Sequence, residues 1–203
     1  MQRVKYHLDS RGIRKLSRDE IKAILRGADD LIIRGGRTLL AKVLKGSRVK
    51  DLLDKGLNRS PVYGYYRSLP EEDILARIDW AILNGYLAIQ YDYRLPLLVY
   101  TPQGWEIEKE TYADELLSGF DDMLATGSPT FDMGYLKDKP RDLIWLLFEK
   151  VEATGDTKYI PLLDAWAQVD YKKVRQRIRH VIDRLTQAAA NKSLQLTAHS
   201  ARG

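Results

Sequence analysis

The run Lys45-Gly46-Ser47-Arg48-Val49-Lys50 places three cations and a hydroxyl within six residues, around a glycine that can end one helix and a serine that can start the next. A serine entering a helix leaves the backbone N–H groups of residues 47–49 free at the positive end of the helix dipole. Lys45, Arg48 and Lys50 lie within one turn of it. The ligand that such a corner holds is a phosphate. The plain alternative is an ordinary helix cap with solvated charges around it. A second group is Tyr91, Tyr93 and Arg94. An aromatic ring at a hairpin tip can stack on a base, worth about 1–3 kcal/mol, and an arginine beside it can pair with a phosphate. Period-two alternation puts Leu87, Ile89, Tyr91 and Tyr93 on one strand face, so at least one tyrosine is expected to pack inward. Tyr93, nearer the turn, is the one expected to be exposed.

Other chemistries find less support. The chain has no cysteine, which removes disulfides, thiolate nucleophiles and cysteine-based metal sites. Its three histidines, His7, His180 and His199, are far apart and lie in no nucleophile–base motif. Asp29-Asp30, Glu106/Glu108/Glu110 and Asp121-Asp122 offer carboxylates, but none has a spacing diagnostic of a metal site. No GxxxxGK[ST] phosphate loop occurs. The expectation is a protein that is not an enzyme and needs no cofactor or metal.

The net charge of +5 over 203 residues conceals a strong asymmetry. Residues 1–60 carry 16 Lys and Arg against 7 Asp and Glu, residues 102–159 carry 6 against 13, and residues 160–203 carry 8 against 3. A basic first third implies an anionic partner, nucleic acid before membrane, because no basic amphipathic helix dominates there. The alternative is that the basic end neutralises the acidic middle within one fold. No apolar run approaches the ~20 residues of a membrane span, and the first residues lack the apolar core of a signal peptide. A cytoplasmic location is expected, with no membrane partner.

The elements that must position these groups follow from caps and periodicity. Ser17-Arg18-Asp19-Glu20 is a capping box, followed by Ile21, Ile24, Leu25, Ala28, Leu31 and Ile32 at helical spacing up to Gly35-Gly36. Residues 38–44 make a second short helix closed by Gly46, and residues 48–55 a third, capped by Ser47. Residues 62–66 read as a strand or extended connector. Ser68-Leu69-Pro70-Glu71 is a second capping box, opening a helix with a core stripe of Ile74, Leu75, Ile78 and Ile82. Trp80 falls off that stripe and must find another surface. Residues 86–101 read as a β-hairpin with its tip near Tyr93 and Arg94 and with Pro96 opening the return strand. The chain then reads as helical to Leu117.

This order, with Lys45-Gly46-Ser47, Val62-Tyr63-Gly64, Arg67, Asn84-Gly85-Tyr86-Leu87 and the hairpin, resembles the RQC winged-helix domain of RecQ-family DNA helicases. From Ile21 to Glu110 it is most similar to stand-alone RQC-like ("minor") DNA-binding proteins of bacteria. The resemblance implies a winged helix that contacts duplex backbone at Lys45 and Ser47, and a wing whose aromatic residue stacks on a terminal base pair. The motor domain and the cysteine-rich zinc subdomain of many RecQ helicases have no counterpart in this sequence.

Mainly α structure with one small β-hairpin is therefore expected. The expected division is a basic arm (1–18), the winged helix (19–117), a linker (118–140), a small HEAT-like helical domain (141–187) and a disordered tail (188–203). The expected partner is duplex or forked DNA, contacted by Lys45, Ser47, Arg48, Lys50, Tyr91, Tyr93 and Arg94, with a helicase or repair protein as a further partner. A protein-interaction adaptor is the alternative. The basic face of the last helix is expected to pair with the acidic middle segment rather than with DNA.

Overall fold

The computed structural model describes residues 7–127 and 130–200, with side chains to residue 192. Arg3 and Lys5 of the expected arm, Ser128 and Pro129 of the expected linker, and the last three residues lie outside the described residues. The chain divides into two units, Met1–Thr111 and Tyr112–Gly203. Among the described residues, eight α-helices and one two-stranded antiparallel sheet make a mainly α structure. No described helix is long and apolar enough to cross a membrane.

In the first unit, α1 (Arg18–Ala28) opens on the capping box as its sequence predicts. Ser17 accepts from the Glu20 N–H at 3.2 Å, and the Glu20 carboxylate accepts from the Ser17 N–H at 2.9 Å. The same carboxylate accepts from the Tyr66 hydroxyl at 3.2 Å and from Arg77 at 3.3 Å, so a local cap is also a tertiary joint. Burial works to raise the Glu20 carboxyl, but its bonds to Ser17, Arg77 and Tyr66 outweigh it and hold the group below the ordinary carboxylate value. A group whose folded-state value is the lower one contributes stability above the unfolded value and loses it as pH falls through the folded one. Glu20→Gln is expected to cost about 1 kcal/mol at neutral pH and to flatten the acid limb of melting temperature against pH. Acid limbs that stay parallel in the variant and the wild type would contradict this account.

α2 (Arg37–Lys45) ends at Gly46, whose φ of +76° is left-handed. The Gly46 N–H donates to the Val43 carbonyl and the Ser47 N–H to the Lys42 carbonyl, a Schellman ending. α3 is short, Lys50–Asp54, and its cap is Val49 with no side-chain bond, so the expected helix from Arg48 capped by Ser47 is not what forms. The reason is local: the Ser47 N–H already closes α2. Residues 62–66 are turns rather than a strand. α4 (Glu71–Leu83) is capped by Pro70 in extended conformation, and Ser68 makes no capping bond. Ile74 and Ile78 are fully buried, and Trp80 meets its second surface by stacking on Tyr86 at 5.9 Å.

β1 (Leu87–Asp92) and β2 (Leu95–Tyr100) pair from Leu87↔Tyr100 to Asp92↔Leu95, leaving Tyr93-Arg94 as a two-residue turn. A hairpin alone is marginal in water. This one is tied to the segment after α1, because the Ile33 N–H donates to the Leu98 carbonyl and the Leu98 N–H to the Gly35 carbonyl, both at 2.9 Å. α5 (Pro102–Ala125) begins against the hairpin's base. A Cβ on Gly104 would lie 1.9 Å from the Tyr86 carbonyl oxygen, so only glycine permits that approach.

The described part of the expected arm packs onto this unit. Leu16 is buried, the Asp9 N–H donates to Asp79 at 2.9 Å, and Arg11 pairs with Asp73 at 2.8 Å. The apolar core runs from Leu16 and α1 through α2 and α4 to Leu87 and Leu98.

In the second unit, residues 118–125 continue α5 instead of starting a linker. Phe120 is fully buried with its ring edge toward Trp166, and Met133 and Leu136 of the same expected linker are buried too. The apolar side chains among the glycines explain the difference. α6 (Arg141–Thr154), α7 (Ile160–Val169) and α8 (Lys172–Ser200) bury Leu143, Leu147, Phe148, Trp166, Ile178 and Leu185, with Phe148 stacked on Trp166 at 4.7 Å. The backbone of residues 188–200, expected to be disordered, continues α8.

Candidate nucleic-acid interface

The basic corner is built by two glycines. Gly46 and Gly64 share φ near +76°, and a Cβ on Gly46 would lie 3.1 Å from the Gly64 Cα. This close approach lets the Gly64 N–H reach the Val43 carbonyl at 3.0 Å and the Tyr66 N–H reach the Leu44 carbonyl at 2.8 Å, so the 60–69 loop closes the end of α2. The Tyr63 hydroxyl adds a bond to the Ser47 carbonyl at 2.9 Å.

The corner's cations thereby divide into two kinds. Lys45 points back into the fold: its ammonium donates to the carbonyls of Arg67 and Leu69, both at 2.7 Å. These two bonds clamp the loop to the end of α2. The Ser47 N–H, expected to be free, is spent on Lys42. Arg48 and Lys50 are exposed and, among the described residues, make no ion pair. Arg67 is exposed in the loop that packs on Gly46, with its guanidinium lying over Gly64. It takes no part in the phosphate reading of the sequence, because nothing in its local spacing shows that the 60–69 loop folds back on the end of α2.

The hairpin separates its two tyrosines. Tyr91 is half-buried opposite Pro96. Tyr93 stands at the apex, 92% exposed, with Arg94 exposed beside it. Its φ of +51° is left-handed, a region that suits glycine or asparagine and costs a bulky side chain on the order of 1–3 kcal/mol.

A helical unit with a basic corner and a strained, aromatic-tipped hairpin behind its fourth helix is the geometry of a winged helix. Compared with known families, residues 17–113 match the RQC domain. No curated protein and no solved structure matches the chain. The RQC domain is a winged-helix family that binds DNA in RecQ helicases. Its matched span here contains the corner, the hairpin and the first part of α5.

Between the hairpin and the start of α2, the first unit also carries an open groove of about 300 Å³ lined by Arg34, Gly36, Thr38, Leu95 and Pro96. Gly36 is needed there, since a Cβ would come within 2.8 Å of the Pro96 carbonyl oxygen. Sequence reading misses Arg34, because the two bonds between residues 33–35 and Leu98 that bring it to the wing are long-range.

In the second unit, α8 spends its basic face on the acidic middle segment only in part. Arg177 and Arg184 pair with Glu152 at 3.3 and 3.0 Å. Lys172, Lys173, Arg175 and Arg179 are exposed and, among the described residues, without an ion pair.

Proposed function

We propose that this chain acts by binding DNA, duplex or branched, rather than by catalysis. Arg48 and Lys50 contact phosphates, Lys45 and Ser47 shape the corner, and the wing presents Tyr93 to a terminal or exposed base with Arg94 beside it and Tyr91 supporting the strand. The observation that carries this reading is Tyr93. Neither burial nor local backbone preference accounts for an almost fully exposed tyrosine in left-handed conformation, and such strain gathers at functional sites. The match of residues 17–113 to the RQC domain supports DNA as the ligand. The lack of cysteine, of a phosphate loop and of a histidine constellation in the sequence supports binding without catalysis.

The test is a salt titration of fork and duplex binding. With about six phosphates contacted, log K is expected to fall against log salt with a slope near −5, and removing Arg48 and Lys50 together to reduce that slope by about 2. Lys45→Ala is expected to lower the melting temperature first. A salt-independent titration, or no binding to either DNA, would overturn the proposal. A second reading, an accessory subunit of a helicase or repair complex, is favoured by the exposed apolar side chains Ile33 and Leu95 beside the wing. A complex that survives nuclease treatment and is lost in Leu95→Asp would support it.

A further inference from the structure

The second unit has a groove that the winged helix does not explain. Its floor is Leu136, Ile144 and Val174, and its rim is Lys137, Lys139 and Arg141. Tyr171 and Trp145 form its walls. The rim cations lie over aromatic faces: Lys137 is 4.8 Å from the Tyr171 ring centre and Arg141 is 5.7 Å from that of Trp145. Lys139 binds the Tyr112 ring and hydroxyl. The one acid lining the groove, Asp170, is buried and engaged, accepting from the Trp166 indole N–H at 2.7 Å and the Tyr171 N–H at 2.6 Å.

From this groove a basic strip runs along α8. Arg175 and Arg179 lie at i and i+4 on α8 and therefore share a face, Tyr171 immediately precedes the helix, and all three are exposed. Residues 171–180 contain five Lys and Arg and no acid. Exposed cations in a row ask for a polyanion. The enclosed space, about 70 Å³, is far below the several hundred Å³ of a metabolite site, so it admits one group of a longer ligand and not a whole small molecule. Tyr171, 57% exposed at the mouth of the groove, offers a ring for stacking. Duplex DNA hides its base faces; a single strand presents them. A basic track combined with an aromatic platform is the arrangement that binds single strands without reading sequence.

We propose that this groove and the α8 strip bind single-stranded DNA, with Tyr171 stacking on a base and Arg175 and Arg179 following the backbone. The choice of DNA over RNA rests on the DNA reading of the first unit; the single-strand site itself does not. The experiment measures the full-length protein against a labelled oligothymidylate and a blunt duplex by fluorescence anisotropy over a range of salt. Tyr171→Ala is expected to weaken oligothymidylate binding about ten-fold, Tyr171→Phe to restore it, and Arg175→Ala/Arg179→Ala to reduce the salt slope by about 1.4. All three variants should keep wild-type melting temperatures and wild-type duplex affinity, whereas Arg48→Ala/Lys50→Ala should lose duplex affinity alone. Wild-type protein that binds duplex but not oligothymidylate, or oligothymidylate binding indifferent to both Tyr171→Ala and the arginine pair, overturns this inference and leaves the winged-helix reading intact. Wild-type protein that binds oligothymidylate through these residues, does not bind blunt duplex, and binds a fork no more tightly than its single-stranded arm overturns the winged-helix reading and supports this one. Tighter binding of oligouridylate, or competition by an acidic peptide at equal charge, overturns the assignment to DNA.

Discussion

Tyr93→Gly is expected to weaken fork binding by about 1–3 kcal/mol, a loss of roughly 5- to 150-fold, while leaving the protein as stable as the wild type or up to about 1 kcal/mol more stable. The opposite signs come from one residue. Its ring is almost wholly in solvent and so contributes little to the core, and its φ of +51° is one that glycine adopts without penalty. Tyr93→Ala separates the two effects, because alanine loses the ring and keeps a Cβ in the disfavoured region. It should bind DNA as poorly as the glycine variant without any gain in melting temperature. Fork affinity unchanged in both variants would remove the wing aromatic from the interface. A glycine variant that melts well below the wild type would show that the turn depends on the tyrosine for some contact other than DNA.

Asp79→Ala is expected to be the most damaging single change to the fold, at about 3–5 kcal/mol, against a total stability for a domain of this kind of about 5–15 kcal/mol. Asp79 is 3% exposed on α4. It accepts from the Arg37 guanidinium with both carboxylate oxygens and from the Asp9 N–H, so it ties the first residue of α2 and the segment before α1 to the same helix. Truncating it removes a close carboxylate from a cation that is largely out of water, which costs more than the pair itself contributes. The expected signature is therefore non-additive: Arg37→Met/Asp79→Leu should recover most of what Asp79→Ala loses, as judged by denaturant midpoints. Single and double variants whose losses simply add would show that the pair is not coupled.

How far the sequence reveals this molecule depends on how local each cause is. The Ser17–Glu20 cap, the Gly46 helix end and the Tyr93-Arg94 tip are settled within four or five residues, and each is legible from residue type and spacing. Trp80 is legible as a problem, an aromatic off the apolar stripe, though its partner Tyr86 is not. Asp79, one residue away on the same helix, reads as an ordinary polar position, because its partners are 42 and 70 residues distant. The bonds of Lys45 are hidden for the same reason: local spacing places it with Arg48 and Lys50, while its bonds reach 22 and 24 residues ahead. The glycines of 118–140 resemble a linker until Phe120, Met133 and Leu136 are seen to be buried. Of the candidate site, the tip and two exposed cations were within reach of sequence reasoning, and the loop that carries Arg67 and packs on Gly46 was not.

The two bonds between residues 33–35 and Leu98 make the wing a cantilever rather than a free flap. Its fixed point is three residues from Leu95, leaving an overhang of about 10 Å at strand rise. A lever that short bends little, so the ring at its end is aimed before any contact is made, and a base stacking on it as proposed would spend little of the contact energy on ordering the hairpin. The same stiffness means that a load applied at the tip is delivered to the Gly35-Gly36 step and the first turn of α2, not dissipated in the strands.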